Sequence, residues 1–210
     1  MGSAALHPPH KADQRGDEGR GEVPSPDDEI RVWKGQRMNE LEALRLAIER
    51  EKKANSYYNE AAARATNVNG KKMFTWLASE EMGHIKALEK QREMLKGRGK
   101  WLSEEGLRSW GGISEPLNCS EFPSCFEVKN QLKADAPELE ILKEAIEAEK
   151  EAVSFYADLA GQTSNRAGKA MLDRLSQVEQ GHLDLLEEEY QWLSRARDMF
   201  TIHRFSLSGQ

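Results

Sequence analysis

Cysteine is nearly absent: the 210 residues hold two, Cys119 and Cys125. One pair is too few for a disulfide framework or a four-sulfur metal site. Two free thiols in a reducing compartment are expected, with a redox-active pair as the alternative. Proline is sparse, at seven, and aromatic residues make up 7%. With 38% hydrophobic and 31% charged residues, this composition suits a helix-rich soluble protein better than a β-sandwich. A basic excess is also missing: 30 basic residues face 36 acidic ones, for a net charge of −6. That speaks against a nucleic-acid binder. No apolar run approaches the roughly 20 residues that span a bilayer. The opening MGSAALHPPHKADQRGDEGRGEVPSPDD lacks the apolar stretch of a secretory signal. The expectation is a cytoplasmic protein with no nucleic-acid and no membrane partner.

What is present begins after a tail. Residues 1–36 hold few large apolar side chains and cannot offset their ordering entropy, so this segment is expected to be disordered. His7 and His10 fall within it and are read as tail. From residue 38 the pattern turns helical. Leu41, Leu44, Ile48, Glu51, Asn55, Tyr58, Ala62 and Ala65 recur at steps of three and four, one face of a helix. Asn67 and Gly70 are expected to stop it. A second helix runs from about Lys71 to Lys96, with Phe74, Leu77, Glu81, His84 and Leu88 on one stripe and Gly97 and Gly99 ending it. Residues 98–136 break the pattern. They form a long connection, with one short helix near 103–109 and aromatics, Trp101, Trp110, Phe122 and Phe126, that pack on the bundle. Pro137 opens a third helix. Gly161 and the following polar residues end it. A fourth helix runs from Arg166 to about Arg197, and an extended tail closes the chain, packed by Phe200, Ile202 and Phe205.

The chain repeats itself. LEALRLAIEREKKANSYYNEAA at 41–62 and LEILKEAIEAEKEAVSFYADLA at 139–160 share twelve of 22 positions at an offset of 98. At the same offset Gly70-Lys71 meets Gly168-Lys169, and Glu81-Met-Gly-His84 meets Glu179-Gln-Gly-His182. The chain is two copies of one helical hairpin, 38–97 and 137–197. Each copy exposes an apolar face, and closing them face to face gives an all-α four-helix bundle with a long crossover, over 37–205.

The repeated acids carry the chemistry. Glu51 and Glu149 lie inside apolar stripes, where a lone ionised carboxylate is costly. The same cost at equivalent positions of both halves points to a bound cation. In Glu-x-x-His the two side chains leave one helix face together, so Glu81 with His84, and Glu179 with His182, can each grip one metal. A single such pair in an acidic helical chain is weak evidence. The recurrence of Glu, then thirty positions on Glu-x-x-His, in both halves is specific. Four carboxylates balance two divalent cations, and bridging carboxylates would hold these about 3.5–4 Å apart. Iron or manganese suits the ligand mix, and zinc is compatible. The alternative is a set of satisfied polar groups in a core. Glu49 and Glu147 also repeat, but two positions from the ligands they face elsewhere and are read as surface. Glu80 has Val178 as its counterpart and is not expected to join a symmetric site. Tyr58 and Tyr156, seven residues past the helix glutamates, either hydrogen-bond a ligand carboxylate or are ordinary core tyrosines. Gly83 and Gly181, before the histidines, are read as permitting close helix approach.

These residues resemble the rubrerythrin-type branch of the ferritin-like di-iron superfamily. The resemblance rests on AIEREKKANSYY and AIEAEKEAVSFY, and on LASEEMGH and LSQVEQGH. EFPSCFEVKNQLKADAPELE and FTIHRFSL look like its short members without a rubredoxin domain. It implies metal ligands at Glu51, Glu81, His84, Glu149, Glu179 and His182, and two iron ions as cofactor. It implies an oxidoreductase that reduces peroxide or dioxygen. Two departures matter. The paired Cys-x-x-Cys of a rubredoxin module is missing here, so an external donor protein such as a rubredoxin is expected. The redox-responsive glutamate that such proteins carry three residues after the third-helix ligand is Ala152 here, so a mechanism in which iron moves between ligands is in doubt. Non-catalytic iron binding, buffering or storage is the alternative function, and a vestigial bundle a third. A fused chain completes its own site, which speaks against a cage, and the resemblance implies a homodimer.

Overall fold

Helix starts are set by asparagine caps. Asn39 accepts the Glu42 N–H at 2.9 Å, and Glu40 and Glu42 put negative charge at the positive end of the helix dipole. This opens α1, Glu40–Arg64. Asn67 caps α2, Val68–Arg98, by accepting from Asn69 N–H. Its counterpart Asn165 accepts from the Ala167 and Gly168 N–H groups and opens α4, Arg166–Leu207. The third helix, α3, is Ala136–Gln162. This computed structural model describes residues 39–103, 105–106, 113–114 and 136–207, with side chains of the last stretch described over 138–195.

Three-residue turns join α1 to α2 and α3 to α4, which forces each pair to run antiparallel. Packing is densest within each hairpin, and α1 also meets α3. The result is the expected four-helix bundle of two hairpins, with no strand among the described residues. None of its described helices is long and apolar enough to cross a membrane.

The core has two parts. One gathers Leu44, Ile48, Leu88, Phe155, Leu159, Met171 and Leu175. The other gathers Phe74, Leu77, Leu139, Leu142, Leu186 and Leu193. Between them the helices carry the repeated acids. The hairpins also share a polar tie at equivalent positions, with the donor exchanged. Asn55 on α1 donates to the Ala78 carbonyl on α2 at 2.6 Å. In the second hairpin Ser176, at the Ala78 position, donates to the carbonyl of Val153, at the Asn55 position, at 3.0 Å.

Several expectations change. Gly70 does not stop a helix: it lies in the first turn of α2, as Gly168 lies in that of α4. Both are sites of close approach. A Cβ on Gly168 would meet the Trp101 ring at 2.6–2.9 Å, and one on Gly70 would meet Glu138 Oε1 at 2.6 Å. Gly97 and Gly161 are likewise inside their helices. Gly99, in the left-handed region at φ +63°, caps α2, its N–H bonded to the Leu95 carbonyl. The closing segment is not extended, because α4 continues to Leu207. No glycine or proline lies between Gly181 and Gly209, so each added residue extends the existing hydrogen-bond ladder. Gly181 is buried and Gly83 half-buried. Of the connection, Trp101 is buried as expected, and residues 105–106 are helical. His7, His10, Trp110, Cys119, Phe122 and Cys125 lie outside the described residues.

The two close approaches differ in what must yield. Trp101 is a rigid buried ring, whereas Glu138 offers the end of a flexible side chain. Gly168→Ala should therefore lower stability by about 1–3 kcal/mol through overpacking. Gly70→Ala should be near neutral, offset by the roughly 1 kcal/mol that alanine gains over glycine in a helix. Thermal unfolding of the two variants checks this ordering.

Candidate metal centre

Each hairpin aims three ligating side chains inward, and the bundle closes around all six. Glu51 comes from α1, Glu81 and His84 from α2, Glu149 from α3, and Glu179 and His182 from α4. All are at most 3% exposed. The expected residues therefore converge in one buried layer, and none points to solvent.

The donor atoms fall into two overlapping groups. Glu51, Glu81, His84 and Glu179 place one donor atom each within 4.8 Å of one another, and so do Glu81, Glu149, Glu179 and His182. Glu81 and Glu179 belong to both. Each group adds one glutamate and one histidine of its own. The histidines face the cluster through Nδ1. His84 Nδ1 lies 3.1 Å from Glu81, 3.1 Å from Glu179 and 3.4 Å from Glu51. His182 Nδ1 lies 3.0 Å from Glu179, 3.3 Å from Glu81 and 4.0 Å from Glu149. The imidazoles stack at 5.7 Å between centroids.

The tyrosines hold the outer glutamates, and they do so crosswise. Tyr58 on α1 donates to Glu149 of the second hairpin, and Tyr156 on α3 donates to Glu51 of the first. Both phenols are buried, and burial together with the facing carboxylate pushes their pKa well up, so they stay donors.

Burial at this density shapes protonation. Desolvation pushes Glu51 and Glu149 well above the usual carboxylate range, and the charges of Glu179 and Glu81 add to the rise. Burial also acts to raise Glu81, but hydrogen bonds from Glu51, His182 and His84 outweigh it and hold Glu81 well below that range. For Glu179, burial and the Glu81 charge act upward, yet His84 and His182 bring it down. Burial acts to lower both histidines, but the surrounding carboxylates raise them well above their ordinary value. Without a cation these shifts favour protons on the two imidazoles and the outer glutamates, and charge on Glu81 and Glu179.

This donor set fits a pair of divalent ions. Glu81 Oε1 and Glu179 Oε1 are fully buried, and each faces the opposite hairpin's imidazole Nδ1, at 3.3 and 3.1 Å, without a well-directed hydrogen bond, so a cation could take each oxygen. Two oxygens shared between the groups and one imidazole in each match a carboxylate-bridged centre. A cavity of about 280 Å³ opens onto the layer between α1 and α3, lined by Ala54, Tyr58, Ala148 and Ala152 beside Glu51 and Glu149. Arg50 stands at its edge, donating to the Ala148 carbonyl and lying 5.7 Å over the Phe155 ring. Outside the layer, Glu49 pairs with Arg45 and Glu147 with Lys150, as surface groups. Glu80 accepts from Ser114 and takes no part.

Two features escaped the sequence. Trp76 sets its ring edge-on to His182, centroids 5.6 Å apart. The signal existed, because its counterpart at the 98-residue offset is Arg174. Glu138 is a buried acid outside the cluster that nothing in its local pattern marks as inward, whereas Glu189, also buried, falls on the fourth-helix stripe with His182, Leu186 and Leu193.

Residues 42–106 match the family model for rubrerythrin. A solved structure of a hypothetical protein from Pyrococcus furiosus is similar, with a TM-score of 0.54 and 24% identity over 74% of this chain and 90% of that one. At that identity the likeness concerns the fold alone. No curated protein matches the chain. The family match covers the first hairpin, and the second hairpin repeats that hairpin's Glu and Glu-x-x-His spacing at the 98-residue offset.

Proposed function

We propose that this chain holds two metal ions, iron in the working protein, and uses them to reduce peroxide or dioxygen with electrons from an external donor. The observation that carries the proposal is the pair of overlapping four-residue groups buried in the core. Glu81 and Glu179 would bridge the ions, with Glu51 and His84 completing one coordination shell and Glu149 and His182 the other. Bound iron would supply electrons and Lewis acidity to an O–O bond.

The chain's own groups do the rest. Tyr58 and Tyr156 fix the outer carboxylates by hydrogen bonds from the opposite hairpin, which orients them before any ion arrives. The apolar core on both sides keeps bulk water from the layer. The cavity between α1 and α3 gives a small oxidant its way in. Ala54 and Ala152 occupy equivalent positions on its wall, so neither half places a carboxylate three residues after Glu51 or Glu149. That feature favours a second reading, iron binding or buffering without turnover. The two separate in one experiment. Anaerobically reduced, iron-loaded protein is mixed with peroxide, and the near-ultraviolet absorption of the oxidised form is followed. Oxidation faster than that of free ferrous iron is expected; a rate no better than the free ion would leave only the binding reading.

The ligand assignment makes distinct predictions. Glu81→Gln or Glu179→Gln removes an oxygen shared by both shells and should abolish loading of both ions. Glu51→Gln should spare the second ion, so metal analysis would find close to half the normal content. Tyr58→Phe should weaken metal affinity by about 10–100-fold while leaving the ligands in place.

Proton release follows from the protonation pattern. The pKa values of His84, His182, Glu51 and Glu149 are all raised, so a cation competes with protons for these groups. Affinity should therefore fall as pH drops and protons compete, and rise as pH increases through these raised values. Calorimetry in buffers of different ionisation enthalpy should detect protons released on loading; binding with no proton release would contradict the assignment.

A further inference from the structure

Trp76 connects the buried layer to the surface. Its indole meets the His182 ring at 88°, and the imidazole is fully buried while Trp76 is half-buried. On its outer side Trp76 lines an open hollow on α2 with Val68, Lys71, Lys72, Thr75 and Ser79. Val68 is 68% exposed. Lys71 and Lys72 are exposed, and among the described residues neither has an ion-pair partner.

The second hairpin is an internal control. At the 98-residue offset, Val68 becomes Arg166, Lys72 becomes Ala170 and Trp76 becomes Arg174. Lys169, the counterpart of Lys71, is bound to Asp173 at 2.8 Å, and Arg174 donates to the Ser114 carbonyl at 2.9 Å. Two flanks of one symmetric site therefore differ. Only the α2 flank joins a ligand ring to solvent through an aromatic side chain, beneath two uncommitted ammonium groups. It does so in a chain of net charge −6, so the positive patch selects both the sign and the orientation of what docks there.

We infer that the outer face of α2 around Trp76 docks an acidic one-electron-donor protein, and that Trp76 passes its electrons to His182. The inference rests on the oxidoreductase reading above. The donor, a reduced iron–sulfur protein, loses one electron per encounter. Two encounters restore the two electrons that one peroxide takes as its O–O bond breaks, with two protons, to give two waters. Tunnelling weakens steeply across gaps and saturated groups, and a delocalised ring against the ligand imidazole is the shorter route.

The test uses a reduced rubredoxin as the probe and two preparations of the full chain. With zinc-loaded protein, which does not turn over, Lys71→Glu/Lys72→Glu should weaken docking by about tenfold or more and flatten its salt dependence. Lys169→Gln on the control flank should not. With iron-loaded, peroxide-oxidised protein, the limiting electron-transfer rate at saturating rubredoxin should fall several-fold in Trp76→Leu and recover in Trp76→Phe. Zinc content should match wild type in both Trp76 variants, separating the relay from a damaged site. Docking indifferent to the lysine reversals, or a limiting rate unchanged in Trp76→Leu, overturns the inference. If peroxide oxidises nothing, the oxidoreductase reading fails instead, and the zinc arm still reports on the surface.

Discussion

Four carboxylates and two imidazoles share one buried layer, and their balance of charge is what the bundle is built around. A single ionised carboxylate in such a place costs several kcal/mol or gives up its charge. Here each charged group faces an opposite one within about a hydrogen bond's length, and the outer glutamates are held by phenols. Such a balance tolerates little displacement. The caps at Asn39, Asn67 and Asn165 fix where each helix begins, and hence which way Glu51, Glu81 and Glu179 turn. The two apolar clusters above and below clamp the layer between them.

The inside of the molecule is close to two-fold symmetric, and the outside is not. The six clustered acids and imidazoles, the tyrosines and the Asn67 and Asn165 caps recur at the 98-residue offset. The polar tie between helices recurs too, although the donor moves from Asn55 on the first helix to Ser176 on the second. What matters there is the link between two positions, and either helix can supply it. Toward the surface the halves part. Arg50 at the cavity edge corresponds to Ala148, and Trp76 beside His182 corresponds to Arg174. The cavity and the Trp76 face give the same buried layer two unlike surroundings.

Much of this was legible in the sequence because the repeat measures each pattern twice. Glu51 and Glu149 stood out as acids inside apolar stripes, and the paired Glu-x-x-His fixed the remaining ligands. The family likeness supplied the expected chemistry, and the fold and convergence of the six residues agree with it. What stayed hidden depends on contacts between distant segments. Spacing placed Tyr58 and Tyr156 near the site but could not say that each serves the other hairpin. Nor could it say which carboxylates both groups share. Gly70 beside Asn67 looked like punctuation, yet tertiary packing put a neighbour against its bare Cα and kept it helical. The final segment mixed apolar and polar residues too loosely to show a helical stripe, and the uninterrupted backbone ladder decided its form.

The crossed tyrosines mean that neither hairpin owns its own site, since each supplies the clasp for a carboxylate of the other. Two identical hairpins assembled as separate chains could close the same clasps. They would, however, be obliged to present every outward feature twice. Joining them in one polypeptide removes that obligation: the interior stays matched while one flank can be specialised without the other. A single tryptophan on a single side is an arrangement that only the joined form can display.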